Sequence, residues 1–195
     1  MTQTLPGPDG KLRCAWCLST PEYIAYHDDD WGLPIADDQA LFERLSLEAF
    51  QSGLSWRIIL EKRDGFRAAF DGFDPVLVAG FGTIDVQRLL EDPGIVRHRG
   101  KIEATITNAR RLLEMQQTRS LAAHLWSHEP APGQGQAAAS ALSKDLKKRG
   151  WAFVGPTTVY AFMQAIGMVN DHAPDCHHHA RTEAARAEFV RPVLR

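Results

Sequence analysis

In Leu47-Glu48-Ala49-Phe50-Gln51-Ser52-Gly53-Leu54-Ser55-Trp56 a single carboxylate stands in an otherwise uncharged run. If Asp37 or Asp38 caps a helix, Leu41, Phe42, Leu45 and Ala49 recur at helical spacing, and Glu48 falls on the same inward stripe. Burying a carboxylate without partners costs several kcal/mol, so an inward Glu48 is protonated, paired with a cation, or kept for a ligand that brings hydrogen-bond donors. A structural ion pair is the competing reading. Gly53 suits a left-handed cap that ends this helix and Ser55 suits the cap of the next, which leaves Leu54 and Trp56 at a tight junction. A carboxylate, a sharp turn and an aromatic ring this close in sequence suit a pocket for a flat, hydrogen-bonding ligand.

A second set of residues has metal-ligand chemistry. His172 and Cys176 offer a nitrogen and a sulfur four residues apart, and the N-terminal segment offers Cys14, Cys17 and His27. Three cysteines at opposite ends of the chain suit a metal better than a disulfide framework. A closed four-ligand zinc site would staple the two ends together, whereas unligated thiols and imidazoles are the plainer alternative. Cys17 and the run His177, His178 and His179 keep the ligand identities open.

Two basic clusters come next. Lys147, Lys148 and Arg149 end a helix that is followed by Gly150 and the segment Trp151-Ala-Phe-Val-Gly-Pro156, and a second helix begins at Thr157. A short glycine-containing hairpin between two helices can present the free N–H groups of the second helix, from Gly155 onward, to a phosphate. An ordinary helical hairpin with a solvated basic end is the alternative. Arg97-His-Arg-Gly-Lys101 supplies another basic helix terminus, and together the two suggest a face that tracks a nucleic-acid backbone.

The elements that must position these groups read as helical throughout, with no convincing strand. Expected helices open at Thr20-Pro21, at Asp37 or Asp38, at Ser55 (toward Lys62), at Asp74-Pro75 and at Thr83 (to Glu91). Others run from about Gly100 to Gln117, from Ser120, from Ser140 to the Gly150 cap, and from Thr157 to about Ile166, while Glu129–Gln136 reads as a surface loop. At 195 residues and 44% hydrophobic content the chain suits one domain spanning residues 1–195, or two small helical lobes around a cleft. The net charge of −2 limits nucleic-acid contact to local patches. With neither a signal peptide nor a bilayer-length apolar run, a cytoplasmic monomer with no membrane contact is expected.

The assembled motifs resemble the DNA-3-methyladenine glycosylase I family of base-excision repair enzymes, over nearly all of Cys14 to Cys176. They are Tyr23-Ile-Ala-Tyr-His-Asp28 with Trp31-Gly32, Leu47-Glu48 with Gln51 and Gly53-Leu-Ser-Trp56, Arg97-His-Arg-Gly-Lys101, Leu146-Lys-Lys-Arg-Gly150 with Phe153-Val-Gly155, and Val169-Asn-Asp-His172. The resemblance implies an all-α helix-hairpin-helix glycosylase that acts on double-stranded alkylated DNA. It implies one structural zinc held by residues matching Cys14, His27, His172 and Cys176. It also implies a pocket where Glu48 reads the damaged purine among Trp16, Tyr23, Tyr26, Trp31 and Trp56, with Leu54 as a wedge in the base stack. Lys147, Lys148 and Gly155 fall on its DNA-contacting hairpin, although Pro156 removes one N–H from the second helix. Asp171 is expected to orient the neighbouring His172. No lysine follows Lys148 to serve as a lyase nucleophile, so monofunctional hydrolysis is expected. A zinc-stapled DNA-binding module without catalysis, and a thiol hydrolase with a metal-free Cys–His pair, are the readings from other classes.

Overall fold

In the computed structural model, which describes residues 3–193, two short strands precede a helical body. The strands β1 (Thr4–Pro6) and β2 (Leu12–Cys14) pair antiparallel, with Thr4 opposite Cys14 and Pro6 opposite Leu12. Eleven α-helices follow among the described residues: α1 (Pro21–Asp29), α2 (Asp38–Gln51), α3 (Trp56–Glu61), α4 (Arg63–Ala69), α5 (Pro75–Ala79), α6 (Thr83–Glu91), α7 (Arg99–Gln116), α8 (Leu121–Trp126), α9 (Gly135–Lys148), α10 (Pro156–Ala165) and α11 (His179–Glu188). The strand pair corrects the all-helical expectation. Three-residue strands are too short to show alternation, and this pair is closed by a turn in which the Gly7 N–H donates to the Lys11 carbonyl at 2.8 Å. Its far strand is fastened by tertiary contact, because the His177 N–H donates to the Leu12 carbonyl at 2.9 Å.

Most helix starts follow the capping residues. Thr20, Asp37, Asp74 and Ser120 each accept a hydrogen bond from a backbone N–H in the turn that they open. Four elements differ. Gly82, not Thr83, caps α6, with its N–H donating to Asp85 Oδ2 at 3.0 Å. Helix α9 begins at Gly135, five residues before the expected Ser140, and so takes in the end of the Glu129–Gln136 stretch. Helix α4 was not anticipated between α3 and α5, nor was α11, whose single buried residue, Thr182, leaves no apolar stripe to read.

The core is built around α2, which is buried at every position from Leu41 to Phe50 and packs against α10 and α7. Phe42, Phe50, Phe66, Phe70, Phe73 and Phe162 fill the space around it. Where α10 ends, Gly167 comes so close to the turn after α1 that a Cβ there would meet the Gly32 carbonyl oxygen at 2.5 Å, so only glycine fits.

Helix α7 locks two exposed segments in place. At its N-terminus Lys101 is buried, and its ammonium group donates to the carbonyls of Phe50 at 2.8 Å and Ser52 at 2.5 Å, tying off the C-terminal end of α2. Further along, Asn108 exchanges two hydrogen bonds with the Ala152 backbone, at 2.8 and 3.0 Å, and so holds the segment between α9 and α10. Lys101 is therefore a cap and not part of an exposed basic cluster, whereas Arg97 and Arg99 are exposed. Lys101→Met keeps the aliphatic stem but strands two carbonyls. It should cost about 2 kcal/mol in denaturant unfolding, and an unchanged midpoint would contradict the capping role.

Candidate functional site

Glu48 lies 4% exposed on the inner face of α2, and its Oε2 has no hydrogen-bond partner. It faces a cavity of about 270 Å³ that is also lined by Trp16, Tyr23, Tyr26, Trp31 and Trp56, the five aromatic residues singled out in the sequence. Gln51, Ala161, Gln164 and Asp171 complete the lining. The rings form a continuous wall. Trp16 stands edge-on to Tyr23 and to Trp31, each at 5.0 Å between centroids, and Tyr26 lies 5.2 Å from Trp56. The indole Nε1 of Trp56 is buried without a partner, so the cavity presents an unpaired donor and an unpaired acceptor within an aromatic enclosure.

Burial pushes the Glu48 carboxyl up to about 8, against the pull of the Arg44 guanidinium one helical turn earlier. Burial likewise lowers Arg44, to about 10. Arg44 donates to Asp30 through Nη2, lies 5.7 Å from the Tyr26 ring centroid, and leaves Nη1 buried and unpartnered. Asp30 also accepts from Arg63 at 2.5 Å, and Arg63 donates to Glu43 at 2.9 Å. Glu48 thus has a cation nearby but no bonded ion pair.

At the other side of the aromatic wall, Cys14, His27, His172 and Cys176 are all buried, and one donor atom from each lies within 4.8 Å of all the others. His172 Nδ1 is 3.2 Å from His27 Nε2 and 3.6 Å from Cys176 Sγ, while Cys14 Sγ is 3.9 Å from His172 Nδ1. The four come from β2, α1 and the loop between α10 and α11, so the group joins the two ends of the chain. Cys17 is buried outside this group, and His177 and His178 gather instead around Asp28. The expected orienting role of Asp171 is not found. Its Oδ2 accepts from Tyr160 Oη at 2.7 Å and Gln164 Nε2 at 2.6 Å, and the carboxylate beside a ligand imidazole is Asp28, 2.8 Å from His27 Nδ1.

The remaining sequence-selected residues lie on exposed turns. Leu54 is 40% exposed on the turn after α2, where Gly53 takes φ of 82° and the Leu54 N–H donates to the Gln51 carbonyl at 2.6 Å. Lys147 and Lys148 are exposed at the end of α9, and Gly155 is the N-terminal cap of α10 with Pro156 in its first turn.

A profile of the family described as methyladenine glycosylase matches residues 16–179. The chain belongs to the methyladenine glycosylase family. It is 49% identical over 177 residues to DNA-3-methyladenine glycosylase 1 of Escherichia coli strain K12, an alignment covering 84% of this chain and 95% of that protein. Its fold superposes on a crystal structure of 3-methyladenine DNA glycosylase I with a TM-score of 0.80, at 46% identity and with 86% of this chain and 99% of the other covered. A structure described as giving the basis of 3-methyladenine recognition by the Staphylococcus aureus enzyme matches at TM-score 0.79 and 36% identity, covering 86% and 96% of the two chains.

For this methyladenine glycosylase family member, sequence reasoning missed Gln164, Arg44 and Asp28. Gln164 carried the signal that betrayed Glu48, a polar side chain inside the otherwise apolar Ala161–Ala165 run. Arg44 and Asp28 carried none, since a charged residue in a helix reads as solvent-facing until the packing is known. The buried carboxylate makes stability depend on pH. Burial favours the neutral form, so no cost is felt at acid pH, and the cost grows as pH rises from the ordinary carboxylate range through about 8. Glu48→Gln should therefore melt close to the wild type at about pH 5 and be more stable by on the order of 5 kcal/mol at about pH 9. A constant difference across that range would mean that burial does not govern this group.

Proposed function

We propose that the chain is a monofunctional DNA repair glycosylase, acting as one catalytic domain, that flips 3-methyladenine out of alkylated double-stranded DNA and hydrolyses its N-glycosidic bond to leave an abasic site. The observation that carries this reading is the unpaired, buried Glu48 carboxylate inside an aromatic cavity of about 270 Å³. Such a cavity suits one flat cation with hydrogen-bond donors. A base in a duplex must be extruded before it can be reached, and a methylated base that pairs poorly costs less to flip.

The chemistry asks for little acid–base assistance. Methylation at N3 leaves the purine positively charged, so Trp16, Tyr23, Tyr26, Trp31 and Trp56 attract it through their ring faces while the Glu48 carboxylate accepts a hydrogen bond from its exocyclic amine. As the bond between C1′ and the base breaks, its electron pair neutralises the base, water adds at C1′, and a proton is lost from that water. The leaving group is already activated by its charge, so Glu48 acts by recognition and electrostatic stabilisation of the bound cation.

Binding to the duplex falls to the exposed turns. Lys147, Lys148 and the backbone N–H groups from Gly155 into α10 contact phosphates in the manner of a helix-hairpin-helix, and exposed Leu54 on the Gly53 turn fills the gap left in the base stack.

Cys14, His27, His172 and Cys176 hold one zinc ion in a structural role. Zinc bonds of about 2.3 Å to sulfur and about 2.0 Å to nitrogen set tetrahedral donors roughly 3.3 to 3.8 Å apart, close to the 3.2, 3.5 and 3.6 Å among His27, His172 and Cys176, with Cys14 Sγ slightly wider at 3.9 Å from His172 Nδ1. Elemental analysis should find one zinc per chain, and Cys176→Ser should lower the melting temperature sharply while activity per folded molecule stays near wild type. Metal-free protein with an unchanged melting temperature would remove zinc from the account.

Release of free 3-methyladenine from alkylated duplex DNA tests the function directly. Glu48→Gln should reduce release by about tenfold to a hundredfold, the loss expected for a hydrogen bond to a charged group, without loss of fold. Protein that releases no methylated base would end the proposal.

A further inference from the structure

Arg44 is 3% exposed within the stretch of α2 that is buried at every position, and its pair with Asp30 occupies only one of its two terminal nitrogens. Its one bonded partner, Asp30, is already neutralised by Arg63, which also pairs with Glu43, and Arg67 supplies Glu43 with a second guanidinium at 2.9 Å. An apolar side chain of similar volume would avoid the desolvation of a guanidinium, so a cation kept here serves something other than packing. Two groups gain from it. Glu48 lies four residues later on the same face of α2, where side chains one turn apart are neighbours, and Tyr26 carries the guanidinium behind its ring while lining the cavity.

We propose that Arg44 is a positioning residue for base recognition, a buried cation fixed behind the aromatic wall that keeps the Glu48 carboxyl ionisable inside the cavity. Arg57, beside cavity-lining Trp56 on α3, is half exposed and pairs with Glu61 at 3.3 Å, so solvent and its partner screen it from the site. Around Glu48 the other titratable groups are Tyr23 and Tyr26 on α1 and Asp171 from the loop after α10, none of them cationic. Arg63 and Arg67 on α4 are spent on Asp30 and Glu43, and Lys101 is spent on the carbonyls at the end of α2. Arg44, by contrast, keeps Nη1 unpartnered in a buried setting where its charge is little screened. Its tie to Asp30 and its place against Tyr26 hold the guanidinium back from a bonded pair with Glu48, which stays open to a ligand.

This inference rests on the proposed recognition of a cationic base by ionised Glu48, and two measurements separate its failure from failure of that reading. The first is the acid limb of kcat/KM for release of 3-methyladenine from alkylated DNA, in which the lesion keeps its charge at every pH used. Without the neighbouring cation the carboxyl loses its proton at higher pH, so Arg44→Met should move the limb up by about one pH unit. That corresponds to about a tenfold loss near neutral pH and less than about a twofold loss at about pH 9.5. Arg44→Lys, which keeps the charge, should hold the limb near its wild-type position. A limb unmoved in Arg44→Met, or a loss equal at every pH, would overturn the inference. The second measurement needs no activity. The pH at which the stabilisation by Glu48→Gln levels off should rise by the same amount in the Arg44→Met background, because that plateau follows the folded-state carboxyl, and an unchanged plateau pH would overturn the inference even in a protein that releases no base.

Discussion

A carboxylate held without a bonded partner on the buried stretch of α2 is the constraint to which the surrounding structure answers. Helix α2 is enclosed from Leu41 to Phe50, and Glu48 lies buried within that stretch. The charge balance is therefore arranged around it. Arg44, Asp30, Arg63, Glu43 and Arg67 form an alternating run of cations and anions between α2, α4 and the end of α1, and the one cation of that run nearest Glu48 is kept from closing onto it. At the C-terminal end of α2, Lys101 satisfies the last carbonyls and fixes the Gly53 turn. An interior that merely tolerated an acid would have paired it. This one keeps it available to the cavity.

The four-donor group and the cavity are mechanically one structure. Trp16 lies between Cys14 and Cys17, its ring 5.3 Å from that of His27, and Trp31 packs 4.6 Å from His172. Two walls of the cavity therefore lean on the donors that join the chain ends. Asp28 carries the linkage outward, accepting from Arg13 on β2 and lying within hydrogen-bond distance of His27. Rigidity of this kind matters for an aromatic enclosure, because stacked rings lose their attraction when their separation is not held.

The exposed and buried halves of the recognition apparatus are coupled through α7. Its first turn supports the Gly53 turn through Lys101, and Asn108 farther along holds the segment between α9 and α10. Leu54 and the segment between α9 and α10 are thus set by one helix that itself contributes no residue to the cavity lining or to the four-donor group.

Much of this was legible in the sequence, for a local reason. Glu48 betrayed itself by interrupting an apolar periodicity, the helix starts at Thr20, Asp37, Asp74 and Ser120 by their capping chemistry, and the Cys–His group by donor types that have few other uses at such burial. These are properties of residue type and spacing, which the chain carries before it folds. What tertiary structure decided were the roles of polar residues whose partners are far away in sequence. Lys101 reads as one of a basic cluster, yet it caps α2 across 51 positions of chain. Asp171 reads as the neighbour of a ligand, yet it bonds Tyr160 and Gln164. Nothing in Arg44 itself distinguishes it from a solvated helix residue. A charged side chain takes its meaning from the dielectric and the partners around it, and only the packed fold supplies these.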